Sequence, residues 1–222
     1  MAAAFVNIAQ VCAPMVEVET LAGVVSLESR FQPLFIRINS GQPLPAQPAS
    51  KAEAIEVATS LIADHQDVQI GLGSLGTEAL RKLKLSVADA FDACLNLKAT
   101  ATLLDGYFRQ ALRAGDDRVR AERVMLRSYY GRDDPSVGAV VKYDEQVRQE
   151  IKRLSPMLAS LTIGEPDGQA GAGELQDDPV QVPSKPPSHA AQIADAAFWD
   201  VFSSRRRSSV LVFQPDRSEQ SR

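Results

Sequence analysis

From Gly164 to Gln192 the chain reads GEPDGQAGAGELQDDPVQVPSKPPSHAAQ, with almost no large apolar side chain. A segment of this kind cannot bury enough apolar surface to offset the entropy of ordering its backbone. The break confines any packed core to the part before it. The expected organisation is a folded domain over residues 1–160, a disordered Pro/Gly-rich linker over 161–192, and a tail over 193–222. The tail is different again: IADAAFWDVF reads as a short amphipathic helix, followed by Arg205–Arg207 and SVLVF. No internal repeat is visible.

Within the first part the apolar residues recur at helical spacing. Phe5, Ile8 and Ala9 share one face, and Val18, Leu21, Ala22 and Val25 another. Ser50 with Glu53 has the form of a capping box and opens a helix striped by Ala54, Ile55, Ala58, Leu61 and Ile62. Longer helices are expected over 94–112 and 117–130. Asp134–Pro135 is a strong start, a cap followed by proline at the first helical position. From there Val137, Val140, Val141, Val147, Ile151 and Leu154 read as the stripe of one last helix. The fold class is therefore all-α, with a short C-terminal amphipathic element beyond the linker.

The bulk numbers exclude several functions. The chain of 222 residues carries a formal net charge of −4 and no basic stripe with interleaved aromatics, so nucleic acid is not an expected partner. No run approaches the roughly 20 apolar residues a membrane span needs. The opening MAAAFVNIAQVCAP lacks a basic leader region and makes no convincing signal peptide. His65 and His189 lie far apart, and no metal site or cofactor is expected. Cys12 and Cys94 fit either one disulfide or two buried thiols.

One motif misleads. GLGSLG, residues 71–76, satisfies the glycine spacing of a dinucleotide-binding loop. The preceding DVQI is too short and polar for a buried parallel strand, and no βαβ alternation surrounds it. The glycines read as a turn that needs positive φ or close backbone approach.

The helix over 17–29 ends in LESRFQP. At 100° per residue Glu28 falls on the edge of its apolar stripe, where core meets surface. The helix C-terminus disfavours a carboxylate, and Phe31 and Leu34 add apolar surroundings. Both effects favour the protonated acid, as general-acid cleavage of a glycosidic bond requires.

Several distant pieces, read together, resemble the lytic transglycosylase domain of the soluble-lytic-transglycosylase and goose-type-lysozyme group. The likeness is greatest to the small peptidoglycan-cleaving enzymes of type IV secretion systems. APMVEVETLAGVVSLESRFQP resembles the family helix that ends in Glu-Ser. IGLGSLG stands where the family has Gly-Leu-Met-Gln-Ile-Asn. FDACLNLKATATLLDGYF resembles its Phe-Asp-Pro-Cys-x-Asn-Leu segment, and LRSYYG its Tyr-Asn-Ala-Gly segment. The resemblance covers about Ala9 to Leu154. It implies a lysozyme-like α fold with Glu28 as catalytic acid and Ser29 as its neighbour. It also implies Tyr129 in contact with that acid, Tyr143 lining the cleft, and Ser74 at the position of the family's substrate-binding Gln.

The resemblance further implies peptidoglycan glycan strands as substrate, a 1,6-anhydro product and a periplasmic location. That location permits a Cys12–Cys94 disulfide. Secretion-system components become candidate partners of the tail through Phe198, Trp199, Val201 and Phe202. The chain departs from the family pattern at Ser74 for Gln, Gly76 for Asn, Ala93 for Pro and Tyr130 for Asn. Those departures leave room for an alternative, a weak or inactive scaffold that binds peptidoglycan and recruits secretion components.

Overall fold

The computed structural model describes residues 3–39 and 41–164. The tail, and the linker beyond Gly164, lie outside the described residues. The described part is mainly α-helical. In chain order it runs β1 (Ala3–Ala4), α1 (Phe5–Cys12), α2 (Val18–Ser29), β2 (Ile36–Ile38), α3 (Lys51–Ala63), β3 (Val68–Ile70) and β4 (Leu75–Gly76). Then follow α4 (Thr77–Leu83), α5 (Val87–Ala90), α6 (Ala93–Arg113), α7 (Arg118–Tyr130), α8 (Pro135–Val140), α9 (Tyr143–Leu154), a 3₁₀ turn (Ser155–Ser160) and β5 (Thr162–Ile163).

Helix starts follow the local chemistry. Ser50, Asp92, Asp117 and Asp134 each accept a hydrogen bond from a first-turn backbone amide. The box expected at α3 is half made. Ser50 accepts from Glu53 N, but the Glu53 carboxylate reaches back to Ala49 N.

Two apolar clusters divide the domain. In one, Phe5, Leu21, Val24, Val25, Leu97, Leu104, Leu126 and Val147 pack α1, α2, α6, α7 and α9 together. In the other, Leu34, Ile36, Ile70, Leu75 and Phe91 join a small antiparallel sheet, ordered β2-β3-β4, to Ala54 and Ala58 of α3. α2 belongs to the first cluster and β2 to the second, so the α2–β2 connection crosses the seam. Arg30 and Phe31 both have positive φ there, 53° and 62°, which ends α2 and turns the chain toward β2. Two consecutive non-glycine residues in this region are uncommon and cost energy.

The last expected helix is two. Lys142, at φ 54°, separates α8 from α9. Val137, Val140 and Val141, read as part of one buried stripe, are 46%, 84% and 36% exposed. α8 rests on the domain through buried Gly138, while α9 starts a new axis with Tyr143, Asp144 and Val147 inward. Asp144 is buried and ion-paired to Arg127 at 2.7 Å and Arg148 at 3.2 Å. A buried carboxylate needs such partners, and here they fix the start of α9.

The folded part also runs past residue 160. Ala3 and Ala4 pair antiparallel with Ile163 and Thr162, and Ile163 is buried, so residues 161–163 belong to the domain and not to a linker. The reason is local: Ile163 supplies an apolar side chain to the α1 cluster before the composition changes.

Candidate active site

Glu28 lies at the last turn of α2 and is 5% exposed. Its Oε1 accepts a hydrogen bond from the Tyr143 hydroxyl at 2.6 Å. Its Oε2 faces Arg37 Nη1 at 3.1 Å, and Arg37 Nη2 donates to the Glu28 backbone carbonyl at 2.7 Å. Burial pushes the Glu28 carboxyl above its ordinary value of 4.5. The Tyr143 hydroxyl, the Arg37 charge and the Ser74 hydroxyl pull back against that rise without cancelling it. The phenols of Tyr129 and Tyr143 are driven up, by burial first and then by the Glu28 charge, so both stay protonated donors.

The glycine-rich segment forms the wall beside Glu28. Ile70 closes β3, and the chain turns through Gly71–Ser74 into β4. Gly71 has φ +76°, and a Cβ there would strike the Asn96 amide and the Ala90 carbonyl. A Cβ on Gly73 would strike the Thr100 hydroxyl and the Tyr129 hydroxyl. Both positions therefore demand glycine. The segment is a turn between antiparallel strands, so the nucleotide-loop pattern in its letters has no matching context.

Asn96 clamps this turn. Its Oδ1 accepts from Gly73 N at 2.8 Å, and its Nδ2 donates to Ala90 O at 2.8 Å and to Ile70 O at 3.4 Å. Asn96 is 1% exposed and acts as a buried pin. Tyr129 donates its hydroxyl to the Gly73 carbonyl.

The expected site residues thus converge, with altered roles. Tyr143, expected to line the cleft, holds the acid, while Tyr129, expected to touch the acid, holds the glycine turn. The break at Lys142 decides this exchange, because it points the first residue of α9 at the end of α2. Ser29, the expected neighbour of the acid and so a candidate substrate contact, is 1% exposed and donates inward to Leu72 O at 2.7 Å. Ser74 lines the cleft, but its hydroxyl donates to the Glu28 backbone carbonyl at 3.1 Å. Arg37 is the main residue that sequence reading missed. The alternation in Ile36–Arg37–Ile38 was its signal, on a strand only three residues long.

A cleft of about 340 Å³ opens over Glu28. Tyr107, Tyr129 and Tyr130 line one part of it, and Arg37, Gln69 and Arg132 another. The Tyr130 ring lies against the Tyr143 ring, centroids 4.9 Å apart. Glu28 is the one buried carboxylate among the lining residues. Asp67 pairs with Arg132, Asp133 pairs with Lys82, and Glu78 is exposed. Behind the site, Cys12 of α1 and Cys94 of α6 form a disulfide, Cα atoms 5.3 Å apart.

Comparison with known proteins agrees with the sequence resemblance to secretion-system components. A type IV secretion system protein VirB1 of Brucella abortus is 38% identical over 108 residues, which is 49% of this chain and 45% of that protein. The chain is similar to VirB1. The protein VirB1 of Agrobacterium fabrum is 29% identical over 159 residues, 71% of this chain and 63% of its own length. VirB1 of Agrobacterium tumefaciens strain 15955 gives 29% over 160 residues, 70% and 64%. The match thus spans about half the length of the Brucella relatives and under two thirds of the others. No family model and no solved structure matches the chain. Among the described residues no helix is long and apolar enough to cross a membrane.

Proposed function

We propose that the chain is a peptidoglycan lytic transglycosylase that opens the cell wall for a type IV secretion system. The observation that carries this is Glu28: one buried carboxylate with a raised pKa, at the floor of a polar, tyrosine-lined cleft. Similarity to VirB1 supports the setting.

Protonated Glu28 gives its proton to the oxygen between N-acetylmuramic acid and N-acetylglucosamine, and the bond from that oxygen to the muramic-acid C1 breaks. The 6-hydroxyl of the same muramic acid forms the new bond to C1. Its proton returns to Glu28, so the product is a 1,6-anhydro sugar and no water is consumed. A second carboxylate nucleophile, needed in the usual retaining scheme, has no part here. Tyr143 fixes the carboxyl; Asn96 and Tyr129 fix the turn that walls the cleft.

The test is digestion of peptidoglycan sacculi with mass analysis of the soluble products. Anhydro-muropeptides are expected. Hydrated reducing ends would make the chain a hydrolase on the same site. No product at all would favour the scaffold reading, for which one observation speaks: the Ser74 hydroxyl is committed to the Glu28 carbonyl, not to the cleft. The pH profile is a further expectation. The reaction needs the acid form of Glu28, so kcat/KM should fall as pH rises through the Glu28 pKa. That alkaline limb should lie above the ordinary carboxylate value of 4.5.

The disulfide suits an oxidising compartment, and the periplasm, where the glycan lies, is the proposed location. Binding of secretion components through residues 193–222 belongs to the same proposal. No cofactor enters the reaction.

A further inference from the structure

Both oxygens of Glu28 are occupied by donors. Tyr143 holds Oε1 and Arg37 holds Oε2. Two donors suit a carboxylate, whereas an acid about to act must carry its own proton on one oxygen. One partner must yield. Tyr143 is 3% exposed and packed under Tyr130, so it stays. Arg37 is 34% exposed, lines the cleft and sits on a three-residue strand. Its Nη2 bond to the Glu28 carbonyl is a pivot about which Nη1 can leave Oε2. Nη1 also donates to Gln69 Oε1 at 3.4 Å, a second acceptor that it can keep when it leaves Oε2, and the Phe35 ring centroid lies 5.7 Å from the guanidinium. The remaining groups facing Glu28 are the Ser74 hydroxyl, on its backbone carbonyl, and Tyr129 on the glycine turn. Three other cations line the cleft: Arg132 is engaged by Asp67 and Lys82 by Asp133, while Arg81 stands exposed on α4.

We propose that Arg37 is a latch that reads a carboxylate on the glycan: an anionic group of the bound strand draws the guanidinium off Glu28 and frees the carboxyl to act as acid. The inference rests on the lytic transglycosylase reading. When Arg37 swings away, Glu28 Oε2 takes a proton from the bulk solvent and passes it to the glycosidic oxygen. The 6-hydroxyl returns one proton to Glu28, which gives it back to the solvent when Arg37 closes on Oε2 again, so no net proton is consumed. The carboxylate has two possible sources, the free lactyl group of a peptide-free strand or the stem peptide of a substituted one. Arg37 is a positioning residue in this scheme, because it acts through Glu28.

The experiment compares wild type with Arg37→Met and Arg37→Lys on four substrates: peptide-free strands, peptide-bearing strands, and the methyl-esterified form of each. An opposite charge within hydrogen-bond distance moves a carboxyl by about one pH unit or more, so wild type should prefer one native strand over its ester by about tenfold. Arg37→Met should lose that preference, and its alkaline activity limb should lie higher in pH. Arg37→Lys should keep part of the preference. The strand type that shows the preference identifies the source of the carboxylate. An unchanged preference in Arg37→Met, with anhydro products still formed, would overturn the latch and leave the enzyme reading standing. Carbon-13 titration of the Glu28 carboxyl in the wild-type protein decides independently of turnover and of how the variants fold. The probes are the disaccharide of N-acetylglucosamine and N-acetylmuramic acid and its peptide-bearing form, each beside its methyl ester. An upward-moving midpoint with a charged probe and not with its ester supports the latch; a midpoint unmoved by both charged probes overturns it.

Discussion

Glu28→Gln should reduce release of anhydro-muropeptides by at least about 10²–10⁴-fold, the usual contribution of a general acid. The substitution keeps the size of the side chain and keeps an oxygen to accept from Tyr143. It removes the one buried carboxylate among the described lining residues, the group proposed to give a proton to the glycosidic oxygen. Its amide nitrogen would face Arg37 Nη1, donor against donor, so Arg37 should turn toward solvent, which its exposure allows. The variant should remain folded, and the linkage sign says why. The folded-state pKa of Glu28 is raised, so ionised Glu28 costs stability above its ordinary value of 4.5. The variant escapes that cost at neutral pH. As pH falls through the raised pKa, wild type should gain on the variant, with the gain complete below about 4.5. Thermal unfolding of both proteins from pH 7 to pH 4 measures this. A Glu28→Gln protein that melts like wild type yet releases products at the wild-type rate would end the assignment of Glu28 as the acid.

Removing the disulfide should give the largest change in stability. Cys12 and Cys94 are 82 residues apart, and cross-linking a loop of that length restricts the unfolded chain by about 4.5 kcal/mol in the chain-entropy treatment. For a domain of this size that corresponds to a fall in melting temperature of about 9–18 °C. The bond also has a local consequence. Cys94 stands in the first turn of α6, two residues before Asn96, and ties that turn to α1. The reduced protein should therefore loosen first around the Asn96 clamp and the glycine turn. Hydrogen exchange at Gly73, whose amide Asn96 holds, reports that loosening directly. A melting curve unmoved by dithiothreitol, or by Cys12→Ser with Cys94→Ser, would show that the bond contributes nothing. Thiol labelling of protein taken from its native compartment should find both cysteines blocked.

Much of the helical framework was legible because it depends on neighbours in sequence. Ser50 and Asp134 start helices through their own side chains, as read from the sequence. The one-sided stripe read from Val18 to Val25 was too narrow: α2 is buried on all sides from Leu21 to Ser26, so Glu28 is enclosed by packing and does not stand at an edge where core meets surface. The break between α8 and α9 was not legible. Val137, Val140 and Val141 continue the apolar period, and only packing against α7 and the Asp144 ion pairs decides that the axis changes at Lys142. The short strands were hidden for a similar reason: three residues carry too little alternation to read.

The sequence by itself determined the mainly helical character of the described residues and the place of Glu28 at the end of a helix. A side chain's place on its own helix is set by the 3.6-residue period, and that period is written in the order of residues. The tertiary structure alone decided which groups meet that carboxylate. Tyr143 lies 115 residues away, Asn96 reaches across 23 residues to Gly73, and Arg37 arrives on a strand turned by two residues of positive φ. Contacts across such separations form only once the elements pack: α9 against α2 within the first cluster brings Tyr143 to Glu28, and the α2–β2 connection across the seam brings Arg37. The chemistry of Glu28 then follows from desolvation and two opposing donors, and neither exists before the chain has folded.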